Sequence, residues 1–263
     1  MTSGGSSAAS SGGGPSFPAV SDAKWSLVVP FKGGPGAKSR LQGNRGPATI
    51  GPGLRRELAL GFLGDTVTAA AGAASVGCVI IVSSDPAAVM DAPNIRILPD
   101  PGQGLNAAIA AGFAFARSLN TGNPVAAVTA DLPCLTAADL DYALRLAKHR
   151  QLAVVPDRHG TGTTMVSALP GVPIRPLFGH HSRDAHLLAG HSLLAIPYHS
   201  TLRADVDTLG DLAAAIQRGV GEHTWAALHS SGLLSPPPPP AGDRPESCLF
   251  QLSTVQRKSC PAF

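Results

Sequence analysis

Short, uninterrupted apolar runs alternate along this chain with longer stretches of helical periodicity. That alternation restricts the fold more than any other feature. Trp25–Pro30 (WSLVVP), Val76–Val82 (VGCVIIV) and the segments 94–98, 125–129 (VAAVT) and 152–155 read as strands. Between them, 54–73, the Ala-rich Leu105–Leu119 and 136–149 read as helices, the last with Thr136 as N-cap and Asp139 three residues on. A strand apolar at every position must be covered on both faces, and intervening helices supply the cover. The pattern therefore predicts an α/β fold, a mostly parallel Rossmann-like sheet with helices on both faces. In such sheets ligands sit beyond the carboxyl ends of the strands, so the polar loops after each strand are where chemistry is to be sought.

Composition sets the limits of that domain. Of 263 residues, 44% are hydrophobic and 14% charged, enough apolar material for a core. Residues 1–23, rich in Gly and Ser, are read as a disordered N-terminal arm. Residues 230–263, with five consecutive prolines at 236–240, are read as a disordered Pro-rich tail. The folded domain is then 24–229. No secretory leader and no membrane-spanning run is recognisable, so the expected compartment is the cytoplasm, with no membrane partner. Cys78, Cys134, Cys248 and Cys260 form no CxxC pair, which argues against a disulfide framework or a zinc site. The net charge of +3 is too small to imply nucleic acid. Locally the balance differs: Lys24, Lys32, Lys38, Arg40, Arg45, Arg55 and Arg56 face Glu57 alone, which suits a small anionic ligand.

Six loops carry the candidate chemistry. After the first strand, 31–41 (FKGGPGAKSRL) combines backbone donors with Lys and Arg, a phosphate-binding composition. It is not a Walker A loop, because Lys32 and Ala37 stand where that motif needs glycine. At 100–107 (DPGQGLNA), Gly102, Gly104 and Ala107 satisfy G-x-G-x-x-A ahead of a helix, with Asp131 downstream where a dinucleotide site would want an acid. Asp131 also ends the fourth strand, a place suited to holding Mg²⁺. The stretch 155–164 (VPDRHGTGTT) offers glycine N–H groups and hydroxyls for a phosphate or carboxylate, though a plain turn fits it as well. In 178–186 (FGHHSRDAH), Ser182 is expected to cap a short helix. In 202–208 (LRADVDT), alternation puts Asp205 and Asp207 on one side, able to grip a divalent cation, and Thr208 with Asp211 opens a helix.

Taken in order, PFKGGPGAKSRL, DPGQGLNAAI, ADLPCLT, PDRHGTGTT, FGHHSRDAH and LRADVDTLGDL resemble the signatures of the 2-phospholactate / phosphoenolpyruvate guanylyltransferases of coenzyme F420 biosynthesis. The resemblance covers about residues 24–228 and implies a nucleotide-diphospho-sugar transferase-like fold. It implies a Mg²⁺-dependent transfer of GMP from GTP to a three-carbon phosphorylated acid, with release of pyrophosphate. It assigns acid binding to Thr164, Gly179 and Ser182 and metal binding to Asp131, Asp205 and Asp207. Lys38 and Arg40 fall at the triphosphate and, with Asp131, are the expected catalytic groups. Lys32, Gly34, Gly104 and Asn106 are expected on the nucleotide.

Two other readings stand beside it. One is an NAD-dependent dehydrogenase built on the G-x-G-x-x-A loop, which leaves the basic first loop without a purpose. The other is a non-catalytic nucleotide-binding module whose Pro-rich tail recruits partners. A molybdenum-cofactor guanylyltransferase shares the fold, but FGHHS and PDRHGTGTT fit the F420 family better. Neither the base, nor the choice between phosphoenolpyruvate and 2-phospholactate, nor the oligomeric state can be read from these residues. The Ala, Gly and Pro content, of a high-GC kind, inclines the reading to phosphoenolpyruvate.

Overall fold

The computed structural model describes residues 23–34, 38–42 and 50–233. Most of the two terminal segments, and Arg45 of the basic cluster, lie outside them. Seven strands form one sheet: β1 (Trp25–Pro30), β2 (Val76–Val82), β3 (Ile95–Leu98), β4 (Val125–Val128), β5 (Leu152–Pro156), β6 (Thr163–Ala168) and β7 (Ser192–Leu193). Their spatial order is β3-β2-β1-β4-β6-β5-β7. Six helices accompany them: α1 (Pro52–Gly72), α2 (Leu105–Leu119), α3 (Ala137–Ala147), α4 (Ser182–Leu188), α5 (Leu209–Arg218) and α6 (Glu222–Ser230).

The strands predicted from their apolar runs are present, and side-chain alternation divides them between two cores. Leu27, Val29, Val79, Ile81, Val128 and Val155 face α1 and α3. Val28, Ile80, Val82, Ala127 and Val154 face α2 with its Ile109 and Phe113. A third cluster, built on Leu58, Phe62, Val206, Leu212 and Leu228, joins α1 to α5 and α6 at one end of the sheet.

One strand departs from the pattern. β6 lies antiparallel between β4 and β5, so the fifth expected strand does not neighbour the fourth. Its sequence follows PDRHGTG closely enough to read as part of that loop. The antiparallel course has a consequence for the site. The β5–β6 turn lies at the carboxyl end of β5, and β6 starts at the rim where β4 ends. Thr129, just past β4, donates its N–H to the Thr164 carbonyl at 3.0 Å.

Capping signals fare well. Thr136 accepts from the Asp139 N–H at 3.2 Å. The Asp139 carboxylate, however, takes the N–H and hydroxyl of Thr201, both at 2.6 Å, while the Thr201 hydroxyl accepts from Thr136 N. The box is thus closed through a residue of another segment. Thr208 and Asp211 form a full reciprocal capping box on α5. The cap of α4 is His181 in the left-handed region (φ 54°), not Ser182, which is the first helical residue. Leu233, beyond α6, still packs on the third cluster.

Candidate active site

Lys38 lies between two of the aspartates picked out by the sequence. Its Nζ is 2.5 Å from Asp131 Oδ2 and 2.9 Å from Asp207 Oδ1. Burial pulls the ammonium toward neutrality, but Asp131 and then Asp207 outweigh it and hold its pKa above the ordinary lysine value. Each participant is set by a different element. Asp131 follows the carboxyl end of β4. The 205–207 segment is laid against it by a backbone bond from Val206 N–H to the Asp131 carbonyl at 3.0 Å. Lys38 holds a left-handed backbone conformation (φ 50°) just before a 3-10 turn, Ser39–Gln42. Among the described residues only Lys38 and His181 carry a positive φ without being glycine, and both stand in loops marked for function.

The site is short of positive charge. Asp205 is half-buried, and that partial burial, followed by Asp131, Asp207 and Asp157, pushes its carboxyl up to about 7. The basic cluster contributes less free charge than its sequence implies. Arg56 pairs with Asp85 at 2.8 Å and the buried Arg55 donates to the Ile50 carbonyl at 3.1 Å. Lys32 is exposed, and Arg40 is exposed and 3.7 Å from Asp207. Of the basic cluster expected around a small anion, Lys38 is thus the member drawn in among the aspartates.

Beside it opens a cavity of about 180 Å³, lined by Phe31, Lys32, Lys38, Leu105, Thr129 and Asp131 among others. Asp131 Oδ1, Asp205 Oδ1 and Thr129 Oγ1 are buried without a hydrogen-bond partner. Orphaned carboxylate oxygens of this kind are costly unless a proton or cation reaches them. The donor set suits Mg²⁺, a hard ion that takes oxygen ligands and is commonly held by one or two carboxylates plus substrate phosphates. Among the described residues no three His, Cys, Asp or Glu side chains form an all-protein cage.

The remaining expected residues fall into two groups. Thr164 is buried in β6, its hydroxyl 3.5 Å from the Val155 carbonyl, and its backbone is tied to Thr129. Gly34 (φ 112°) and Gly104 (φ 94°, the N-cap of α2) have backbones that a side chain would strain, with open space at each. Gly179 (φ 140°) is similarly open, and its carbonyl accepts from Ser182 N–H at 3.2 Å. Asn106 is different: its amide is engaged by the backbone of Phe178 and not turned to the glycine loop.

Residues not singled out from the sequence complete the rim. The Asp157 carboxylate accepts from Thr161 N–H at 3.0 Å and Gly162 N–H at 2.9 Å, which folds the GTG turn. Arg203 donates to the Asp157 carbonyl at 2.9 Å, fixing that turn to the 3-10 turn Thr201–Arg203 that precedes Asp205. An Asp four and five residues before the N–H groups it accepts is a turn signature the PDRHGTG stretch already contained.

Sheet order and site together define a nucleotidyltransferase of the MobA-like NTP transferase class, whose family model matches residues 57–228. A nucleotide-diphospho-sugar transferase of Desulfovibrio desulfuricans G20 shares the fold, with a TM-score of 0.57 at 17% identity over 80% of this chain and 96% of that one. The phosphoenolpyruvate guanylyltransferase of Thermomonospora curvata is 43% identical over 215 residues, 81% of this chain and 92% of its own. That of Streptomyces avermitilis is 43% identical over 224 residues, 84% of this chain and all of its own. The chain belongs to the phosphoenolpyruvate guanylyltransferase family. The rival dinucleotide loop follows β3, at the sheet edge, and the Asp131 it would need for a ribose is bound to Lys38.

Proposed function

We propose that this protein transfers GMP from GTP to phosphoenolpyruvate, releasing pyrophosphate, in the cytoplasm and in coenzyme F420 biosynthesis. The observation that carries the reading is the Asp131–Lys38–Asp207 bridge at the strand ends, with unpartnered carboxylate oxygens beside a phosphate-sized cavity. Relatives named for this activity match over most of the chain.

The acid's phosphate oxygen forms a bond to the α-phosphorus of GTP in line. The bond to the α–β bridging oxygen breaks, and its electron pair leaves with pyrophosphate. That attacking oxygen is ionised near neutral pH, so no side chain has to take its proton, and positioning and charge neutralisation do most of the work. Asp131, Asp205 and Asp207 would hold Mg²⁺, which when bound neutralises phosphate charge. Lys38, kept protonated by its carboxylates, is the half-buried cation at the cavity wall. Arg40 and Lys32 meet the outer phosphates, Gly34 and Gly104 offer backbone approach to the nucleotide, and Thr164, Gly179 and Ser182 receive the acid.

A pyrophosphate-release assay crossing GTP and ATP with phosphoenolpyruvate and 2-phospholactate, with and without Mg²⁺, tests this. Release is expected with GTP, phosphoenolpyruvate and Mg²⁺ together. Silence in every combination removes the proposal, and turnover with 2-phospholactate alone reassigns the acid.

A further inference from the structure

Asn106 is the second residue of α2, inside the DPGQGLNA stretch whose composition pointed to the nucleotide. Its side chain is engaged elsewhere. Oδ1 accepts from Phe178 N–H at 2.8 Å, and Nδ2 donates to the Phe178 carbonyl at 2.9 Å. A reciprocal pair of this kind is what one residue makes with another across an antiparallel ladder. The amide thus stands in for a neighbouring strand and pairs both backbone polar groups of Phe178.

The same segment is held from a second side. Leu177 donates its N–H to His186 Nε2 at 3.0 Å, and the Phe178 ring packs edge-on against the His186 ring, with centroids 5.3 Å apart. His186 is itself fixed, its Nδ1 lying 3.2 Å from Thr163 Oγ1. The backbone that follows has Gly179 at φ 140°, open to glycine, and His181 at φ 54°, a conformation that a non-glycine residue keeps only where the surroundings impose it. Phe178, one residue before Gly179, is where the Asn106 amide fixes the start of this turn, beside the bonds from Ser182 N–H to the Gly179 carbonyl and from Arg183 N–H to the Thr161 carbonyl, both at 3.2 Å.

We infer that Asn106 is a positioning residue of the acid subsite and not a ligand of the nucleotide. The inference rests on the assignment of Gly179 and Ser182 to the acid under the proposed function. Without the amide, the Phe178 N–H and carbonyl lose their partner and the Gly179–Ser182 turn loses its hold from the α2 side, keeping the bonds from α4 and from the β5–β6 turn. The nucleotide loop keeps its own support, since Asp100 Oδ1 accepts from Gly102 N–H at 2.8 Å.

The test is a steady-state comparison of Asn106→Ala with the wild type, varying each substrate in turn, with GTP affinity measured separately by calorimetry. The expected result is a rise in KM for the acid of roughly tenfold, from two lost hydrogen bonds. KM and Kd for GTP should stay within about twofold, which also certifies the fold. An effect on GTP equal to or larger than that on the acid, or no change in either, overturns the inference. Asn106→Asp, which keeps the acceptor for Phe178 N–H and sets a carboxylate oxygen against the Phe178 carbonyl, should show the same acid-selective rise. It carries the test if the alanine variant does not fold. A wild-type enzyme silent in the pyrophosphate assay overturns the functional reading and this inference with it. An active wild type beside an acid-indifferent variant overturns the inference alone.

Discussion

At the residue scale, the site is governed by a shortage of positive charge. Three aspartates and the nearby Asp157 converge electrostatically, and among the described residues Lys38 and the exposed Arg40 form ion pairs with Asp131 and Asp207. Asp131→Asn removes the charge that holds Lys38 from one side. It should lower kcat by at least about 100-fold while the far-UV circular dichroism stays that of the wild type. Near-normal turnover in a folded variant would take Asp131 out of the reaction. His186 gives a stability prediction. Burial first, and then the His191 ring, depress its pKa to about 4, against 6.5 for a free histidine. Between those values the unfolded chain takes up a proton that the folded chain refuses. Stability is therefore whole above pH 6.5 and falls as the pH drops toward 4, by about 3 kcal/mol for this group. The buried His191 is shifted the same way. Urea midpoints between pH 7 and 4 should fall more steeply for the wild type than for His186→Gln, and parallel slopes would refute the assignment.

At the element scale, the parts that could be read locally are those whose signals are local. β1 and β2 are carried by the apolar runs Leu27–Pro30 and Cys78–Val82, and Thr208 and Asp211 cap α5 from within four positions. α6 has no such signal, because the carboxylate accepting its first N–H groups is Asp65 of α1, bonding His223 N at 2.9 Å and Thr224 N at 3.0 Å. β6 was illegible for a related reason. Its TTMVSA sequence suits a strand, but its direction and its place between β4 and β5 are fixed by neighbours distant in the chain. Helix-to-sheet contact also depends on one missing methyl group. A Cβ on Gly112 of α2 would collide with Val28 of β1 and press on Val82 of β2. Gly112→Ala should lift α2 from the sheet and cost about 1–3 kcal/mol, despite the better helix propensity of alanine. Chemical denaturation measures this, and a stabilised variant would show that α2 can slide without loss.

At the scale of the whole molecule, what this chain shares with its family includes residues 57–228, the stretch that the family model matches. The relatives are spanned over 92–100% of their length by 81–84% of this chain, and the family model ends at residue 228. A chain cut to residues 23–233 should keep kcat and both KM values within about threefold in the pyrophosphate assay. A loss beyond tenfold would assign the terminal segments a part in the reaction. By itself the sequence determined β1 to β5 and α1 to α3, the two-sided burial of those strands, and which loops hold Lys38, Asp131, Asp205 and Asp207, since these depend on neighbours a few positions apart. Only the tertiary structure decided that Lys38 would be drawn between Asp131 and Asp207, that Arg55 and Arg56 would be engaged elsewhere, and that Asn106 would serve Phe178. Charge pairing and hydrogen bonding act through space, and separations of 93 and 169 residues along the chain leave no trace in local spacing.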